Sequence, residues 1–148
     1  MFKKLFETPG DCVLTFMRIM LAVVFFPHGA QKMLGWAGGG GFHATMGMFA
    51  QMGIPSFLAL LVIVTEFFGP IALFLGFFTR VAALGIFVDM LVAVFLVHIH
   101  NGFFMNWTGQ QKGEGFEYHL LAIVGLLVML VKGAGALSID HALSGRER

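Results

Sequence analysis

Charge is what this chain has least of. Asp, Glu, Lys and Arg make up 11% of its 148 residues, where a soluble domain of that size uses about 25%. The hydrophobic share is 58%, with 18 Phe and 10 Met, and the mean hydropathy is +0.88. So much apolar surface has to face something other than water, and lipid is the solvent that fits. Cysteine is nearly absent too. Cys12 stands alone, which excludes an intramolecular disulfide and a CxxC pair, and with them the dithiol chemistry of membrane disulfide-relay enzymes within this chain. The net charge is +1 and no basic run occurs, so nucleic-acid binding lacks an electrostatic footprint. There are too few residues for two sizeable domains but enough for four membrane spans with connectors.

What is present is apolar sequence in four segments. Val13 to Ala30 carries one charge, Arg18, and Ile54 to Phe78 carries one, Glu66. Val81 to Ile99 contains Asp89 and His98, and the fourth segment runs from Phe116 to Val131, with Glu117 and His119 at its entry. A helix needs about 20 mainly apolar residues to cross hydrocarbon. The predicted architecture is therefore all-α, an integral membrane four-helix bundle forming one domain, with spans at about 12–34, 54–78, 81–100 and 116–136. Lys3 and Lys4 ahead of an apolar stretch also resemble a signal peptide, but three further spans and Met1 argue for a retained first span. An even number of spans puts both termini on one side. Lys3, Lys4, Arg80, Lys132, Arg146 and Arg148 lie there, against Lys32 and Lys112 on the other. By the positive-inside rule both termini are expected in the cytoplasm, and the chain in the inner (plasma) membrane.

The connectors differ in kind. Only Thr79-Arg80 separates spans two and three, which demands a tight hairpin. The outer connectors are long and rich in Gly. Gly38 to Gly41 is a flexible break and not a phosphate loop, since no strand precedes it and no Lys-Ser/Thr follows. Phe42 to Met52 reads as a short helix in the outer interface, and Phe103, Phe104 and Trp107 suit an aromatic belt. Asn106-Trp107-Thr108 is a sequon with meaning only in a secretory pathway.

Ionisable groups within spans cost about 2.5–3.5 kcal/mol on insertion scales, and those facing the bundle interior are functional-site hypotheses. At 100° per residue, Arg18, Ala22, Phe25, Gly29 and Lys32 share one stripe of span one, within about 40°. Glu66 lies with Gly69, Leu73 and Gly76. Asp89 shares a face with Ala82, Gly85, Ala93, Leu96 and, if the helix continues, His100. Glu117 lines up with Leu121, Val124 and Val128. His98 points away from its stripe, and His119 is displaced by about 200° from Glu117.

Depth sorts these groups into two tiers. Arg18, Glu66 and Asp89 form an internal polar network in which Arg18 is the natural counter-ion. That network either fixes helix register or handles protons or substrate. Lys32, His100 and Glu117, with His28 at the edge, lie at the outer ends. About 21 Å separates Arg18 from Lys32 along the helix. The outer groups suit an anion or a quinone carbonyl and proton exchange; their plainer role is a rim salt bridge between Lys32 and Glu117. His98 and His100 at i,i+2 do not share a helical face, so no metal is expected at the histidines. His43, Met46, Met48 and Met52 have Cu(I)-like softness but read more simply as a Met-rich amphipathic stretch. Ala72 with Gly76 offers a small-residue patch for a homo-oligomer.

Several ordered motifs carry a resemblance. Pro27-His28-Gly29-Ala30-Gln31-Lys32, Gly53-Ile54-Pro55, and Glu66 followed by Leu75-Gly76-Phe77-Phe78-Thr79-Arg80 look like the DoxX family of small four-helix membrane proteins. So do Asp89-Met90, His98 with Asn101-Gly102-Phe103-Phe104, Glu117-Tyr118 and Leu137-Ser138-Ile139-Asp140. The usual Gly-Pro-Gly is here Gly133-Ala134-Gly135. The resemblance implies a link to membrane oxidoreductase systems, since the family name comes from a subunit of a thiosulfate:quinone oxidoreductase and mycobacterial relatives are tied to oxidative-stress defence. It carries no agreed catalytic residues, only polar positions, here Arg18, Lys32, Glu66, Asp89 and Glu117. The sequence shows no flavin, haem or iron–sulfur motif and no covalent cofactor is expected, so electrons would come from redox partner proteins or pass through a quinone. Three functions are expected in order: a quinone-linked component of an oxidoreductase with its head group at Lys32, His100, Glu117 and His28; a small transporter or proton pathway; and an anchor that assembles soluble redox enzymes.

Overall fold

In a computed structural model, residues 3–144 are described, with side chains from residue 5 onward. Arg146 and Arg148 lie outside the described residues, as do the side chains of Lys3 and Lys4. The chain is all-helical, and no strand occurs among the described residues. A short α1 (Lys3–Phe6) precedes α2 (Cys12–Leu34), α3 (Gly41–Gln51), α4 (Ser56–Leu75), α5 (Thr79–Leu96), α6 (Glu117–Lys132) and α7 (Ile139–Leu143). Single 3-10 turns follow α2 at Trp36–Gly38 and α5 at His98–Asn101.

Three helices, α2, α4 and α5, are long and apolar enough to cross a membrane. α6 has 16 residues, about 24 Å at 1.5 Å per residue, and is shorter than the roughly 30 Å of hydrocarbon. The four pack in a ring, α2 against α4, α4 against α5, α5 against α6 and α6 back on α2. Their shared core holds Ala22, Phe25, Leu73, Ile86, Leu126 and Met129. Outward they present Val13, Phe16, Phe57, Leu84, Phe95 and Val131, all exposed, as lipid-facing helices should.

Helix ends fall where the backbone forces them. Asp11 caps α2 by accepting hydrogen bonds from the backbone N–H of Val13 (2.7 Å) and Leu14 (3.3 Å), satisfying donors that have no partner within the helix. α4 stops at Leu75 instead of running to 78, because Gly76 takes a left-handed conformation (φ 64). α5 then begins at Thr79, two residues earlier than expected. Asp140 makes that possible by accepting from the N–H of Phe78 (2.8 Å) and Thr79 (2.9 Å). α5 ends at Leu96, short of 100, and α6 ends at Lys132, short of 136, where Gly133 turns at φ 87. The expected short helix at 42–52 is α3, which packs on α2 and α4 with Thr45 and Phe49 buried.

One close approach positions the site. Pro70 sits inside α4 and has no N–H to donate to the carbonyl one turn back, which belongs to Glu66. Gly29 of α2 packs on that same carbonyl, so closely that a Cβ at 29 would overlap it. Gly29→Ala is therefore expected to push α2 from α4 and lower stability by about 2–3 kcal/mol, in the range of overpacked cores. Thermal unfolding in detergent checks this; an unchanged midpoint would show that the two helices are free to separate there.

Candidate functional site

The ionisable side chains inside the bundle gather in two clusters, one toward each end. Toward the end that carries the termini, Arg18 is 1% exposed. Its Nε donates to the carbonyl of Ala134 (2.9 Å), Nη1 to those of Phe74 (2.7 Å) and Leu73, and Nη2 to that of Leu137 (2.5 Å). Leu73 and Phe74 are in the last turn of α4, whose carbonyls lack helical partners and carry the negative end of the helix dipole. The guanidinium thus completes α4 and ties residues 134–137 to it. Asp140, 2% exposed, does the complementary work at the start of α5. Arg18 makes no ion pair among the described residues, so the expected counter-ion role is not what the geometry shows.

Toward the loop end, the cation that meets the carboxylates is Lys32. Its Nζ forms a salt bridge with both oxygens of Glu66, and its side chain is 31% exposed against 6% for Glu66. Lys32 lies three residues beyond Gly29 on the same helical face, so the contact of Gly29 with the Glu66 carbonyl brings the ammonium within reach. Asp89 of α5, also buried, is close enough to Glu66 for the two carboxyl groups to interact. Its Oδ2 has no partner, and neither has the buried hydroxyl of Tyr118 from α6, which is near enough to Glu66 to feel its charge. Four helices thus contribute one polar side chain each. One ammonium confronts two carboxylates, and an acceptor and a hydroxyl are left with bonds to make. Buried polar groups are normally paired, and such unpaired atoms mark where a ligand or a proton is handled.

A histidine pair adjoins this cluster. His119 of α6 is buried with an unpartnered Nδ1, and its ring lies 4.0 Å, centroid to centroid, from that of His98. His98 is half-buried on the 3-10 turn, its Nδ1 2.8 Å from the carbonyl of Glu114. A carbonyl only accepts, so this nitrogen carries the proton and Nε2 is the basic atom. His28, on α2 one turn before Lys32, is the third histidine near His119.

Not all of the expected outer groups meet. Lys32 lies in the cluster and His28 at its margin. Glu117 is turned to the second connector, its Oε1 accepting from the N–H of Met105 (2.9 Å) and the Trp107 indole (3.1 Å); it shapes the loop and does not pair with Lys32. His100 is exposed on the 3-10 turn. Tyr118, His98 and His119 are the members that helical-wheel reasoning missed. The two histidines fall off their stripes, yet the helix end at Leu96 re-aims His98 onto the face that His119 presents.

A cavity of about 450 Å³ lies on the outer flank of α2 and α4, lined by Phe26, Pro27, Trp36, Pro70, Ile71 and Phe74 among others. Its walls are apolar, and Pro70 is one turn from Glu66.

Comparison with known proteins agrees with this architecture. The DoxX family model matches residues 13–99, which include α2 to α5 and with them Arg18, Lys32, Glu66 and Asp89. The chain belongs to the DoxX family. Similar members include the inner membrane protein YqjF of Escherichia coli, 33% identical over 127 residues that cover 86% of this chain and 88% of that protein. The "Uncharacterized membrane protein Rv3486" of Mycobacterium tuberculosis is 30% identical over 97% of this chain and 88% of its own length. The "Putative oxidoreductase CatD" of Bacillus subtilis is 24% identical over 84% and 81%. No solved structure matches the chain. The family's members from Escherichia coli are inner membrane proteins by name; Tyr118 and His119 lie beyond the matched segment.

Proposed function

We propose that this chain is the quinone-binding component of a membrane oxidoreductase, with the head group held at Lys32, Glu66, Asp89 and Tyr118. The carrying observation is the buried meeting of one ammonium with two carboxylates and a phenol, with Asp89 Oδ2 and the Tyr118 hydroxyl unpartnered. Reducing a quinone takes two electrons and two protons. The site supplies hydrogen-bond donors for two carbonyl oxygens in Lys32 Nζ and the Tyr118 hydroxyl, and carboxyl groups able to hand over protons. The half-exposed Lys32 marks the mouth, and the apolar cavity beside Pro70 suits the tail. Electrons come from a redox partner, a role in keeping with the name of the Bacillus subtilis relative. Both termini face the cytoplasm in this reading, which puts the site in the outer half of the membrane.

Binding of a short-tailed ubiquinone analogue to purified protein in nanodiscs tests the proposal. Glu66→Gln and Asp89→Asn keep shape and remove the charges that hold the Lys32 ammonium in the site, and each is expected to weaken binding about tenfold or more, the worth of the charge-assisted hydrogen bond that ammonium donates to a quinone carbonyl. Absence of saturable binding to the wild type, or variants that bind as it does, would sink the reading. Proton leakage into liposomes abolished by the same two variants, without quinone binding, would point instead to a transmembrane proton path.

A further inference from the structure

Proton chemistry at a buried carboxylate pair needs a way to and from water, and among the described residues the loop side carries the groups nearest the pair that can provide one. At the other end, Arg18 and Asp140 are engaged by backbone groups; Thr79 Oγ1 and Arg80 Nε are unpartnered at the start of α5, but Ile86, one turn before Asp89, and Leu73, two turns after Glu66, belong with Leu126 and Met129 to a core with no exposure. Toward the loops, three buried side-chain atoms have no hydrogen-bond partner: Asp89 Oδ2, the Tyr118 hydroxyl and His119 Nδ1. Every one of them can take up or give up a proton. The Tyr118 ring, near enough to Glu66 to feel its charge, lies 5.3 Å from that of His119, which lies 4.0 Å from that of His98, and His98 reaches the surface.

We propose that protons travel between the loop-side water and the Glu66–Asp89 pair through His98, His119 and Tyr118. This rests on the reading of that pair as the proton-exchanging part of the site. A proton from water adds to His98 Nε2 while the Glu114 carbonyl holds Nδ1–H. His119 and the Tyr118 oxygen each accept one proton and release one, and the proton ends on a carboxylate oxygen of the pair. No electron moves and each relay group returns to its starting form. The charged and titratable groups around the route are His28 and Lys32 from α2, Glu66 from α4, Asp89 from α5, and Glu114 and Glu117 from the loop and the start of α6.

Rapid-mixing infrared spectroscopy of oriented vesicles, with no quinone present, tests the route. The carboxyl band that disappears in Asp89→Asn reports on the pair, and the loop side is identified by labelling a Lys112→Cys variant in a Cys12→Ser background. After a pH step on the loop side the wild-type band should respond promptly, and after a step on the other side slowly. His98→Asn, His119→Gln and Tyr118→Phe should each slow the response more than tenfold while keeping its amplitude. Should His119→Gln lose the band through misfolding, His98→Asn decides, since that ring is half-exposed on a turn. A response within twofold of wild type in His98→Asn, equal responses from both sides, or no titrating carboxyl band in the wild type would overturn the route. The quinone-binding measurement stands apart, so the two proposals can fail independently.

Discussion

Arg18→Met is expected to cost at least 4–5 kcal/mol, roughly the upper limit for single substitutions, and to leave little folded protein in detergent. The substitution removes four charge-assisted hydrogen bonds at once, and bonds to charged groups contribute about 1.5–3 kcal/mol each. It also strands carbonyls of α4 and of residues 134–137 in a buried place. Arg18→Lys separates charge from geometry. An ammonium has three donors on one atom and cannot span carbonyls from two chain segments as the guanidinium fork does. We expect it to recover less than half of the loss. Unfolding in mixed micelles at increasing SDS reads both. If Arg18→Met stayed within about 1 kcal/mol of wild type, the guanidinium would be an ornament of the fold and not its clasp.

The second large effect belongs to Lys32. Lys32→Met leaves Glu66 and Asp89 together in the bundle without a cation, and breaking a buried pair by removing one partner costs about 3–5 kcal/mol. Glu66→Leu should cost less, since Lys32, already 31% exposed, can swing its ammonium toward water. The double variant Lys32→Met/Glu66→Leu should regain much of the Lys32→Met loss, because apolar replacement of both partners is often neutral. The double-mutant cycle gives the coupling directly. Additive costs would mean that the bridge is incidental, whereas a double variant that folds well but no longer binds quinone would separate the site's chemistry from its contribution to stability.

The sequence made the solvent and most of the helices legible, because lipid-facing surface and helical period are written in composition and spacing. The whole of α2 and nearly all of α3 lie where the pattern of apolar residues places them. Partner choice was harder. A helical wheel reports direction around an axis, and it rightly put Arg18 and Lys32 on one inward stripe of α2. It says nothing of reach along the axis, so a lysine a turn above a glutamate looks like a member of another tier. Arg18 was matched to carboxylates because side chains are visible in a sequence, whereas its true acceptors are main-chain carbonyls, which every residue carries. His119 falls about 200° from Glu117 on α6, and His98 falls off the Asp89 stripe only on the assumption that α5 continues that far. The early end at Leu96 invalidates that assumption.

The clasp at Arg18 also has a timetable. Arg18 lies in α2, and its partners Ala134 and Leu137 are synthesised 116 and 119 residues later. At 5–20 residues per second that interval is about 6–24 s, during which an unsatisfied guanidinium belongs to a nascent membrane segment. Its place in the second turn of α2, about 9 Å from the helix start, lets it reach back to the headgroup region while it waits. Residues made more than a hundred positions later draw it in, so a chain cut short before residue 134 keeps α2, α4 and α5 but lacks the step that locks them.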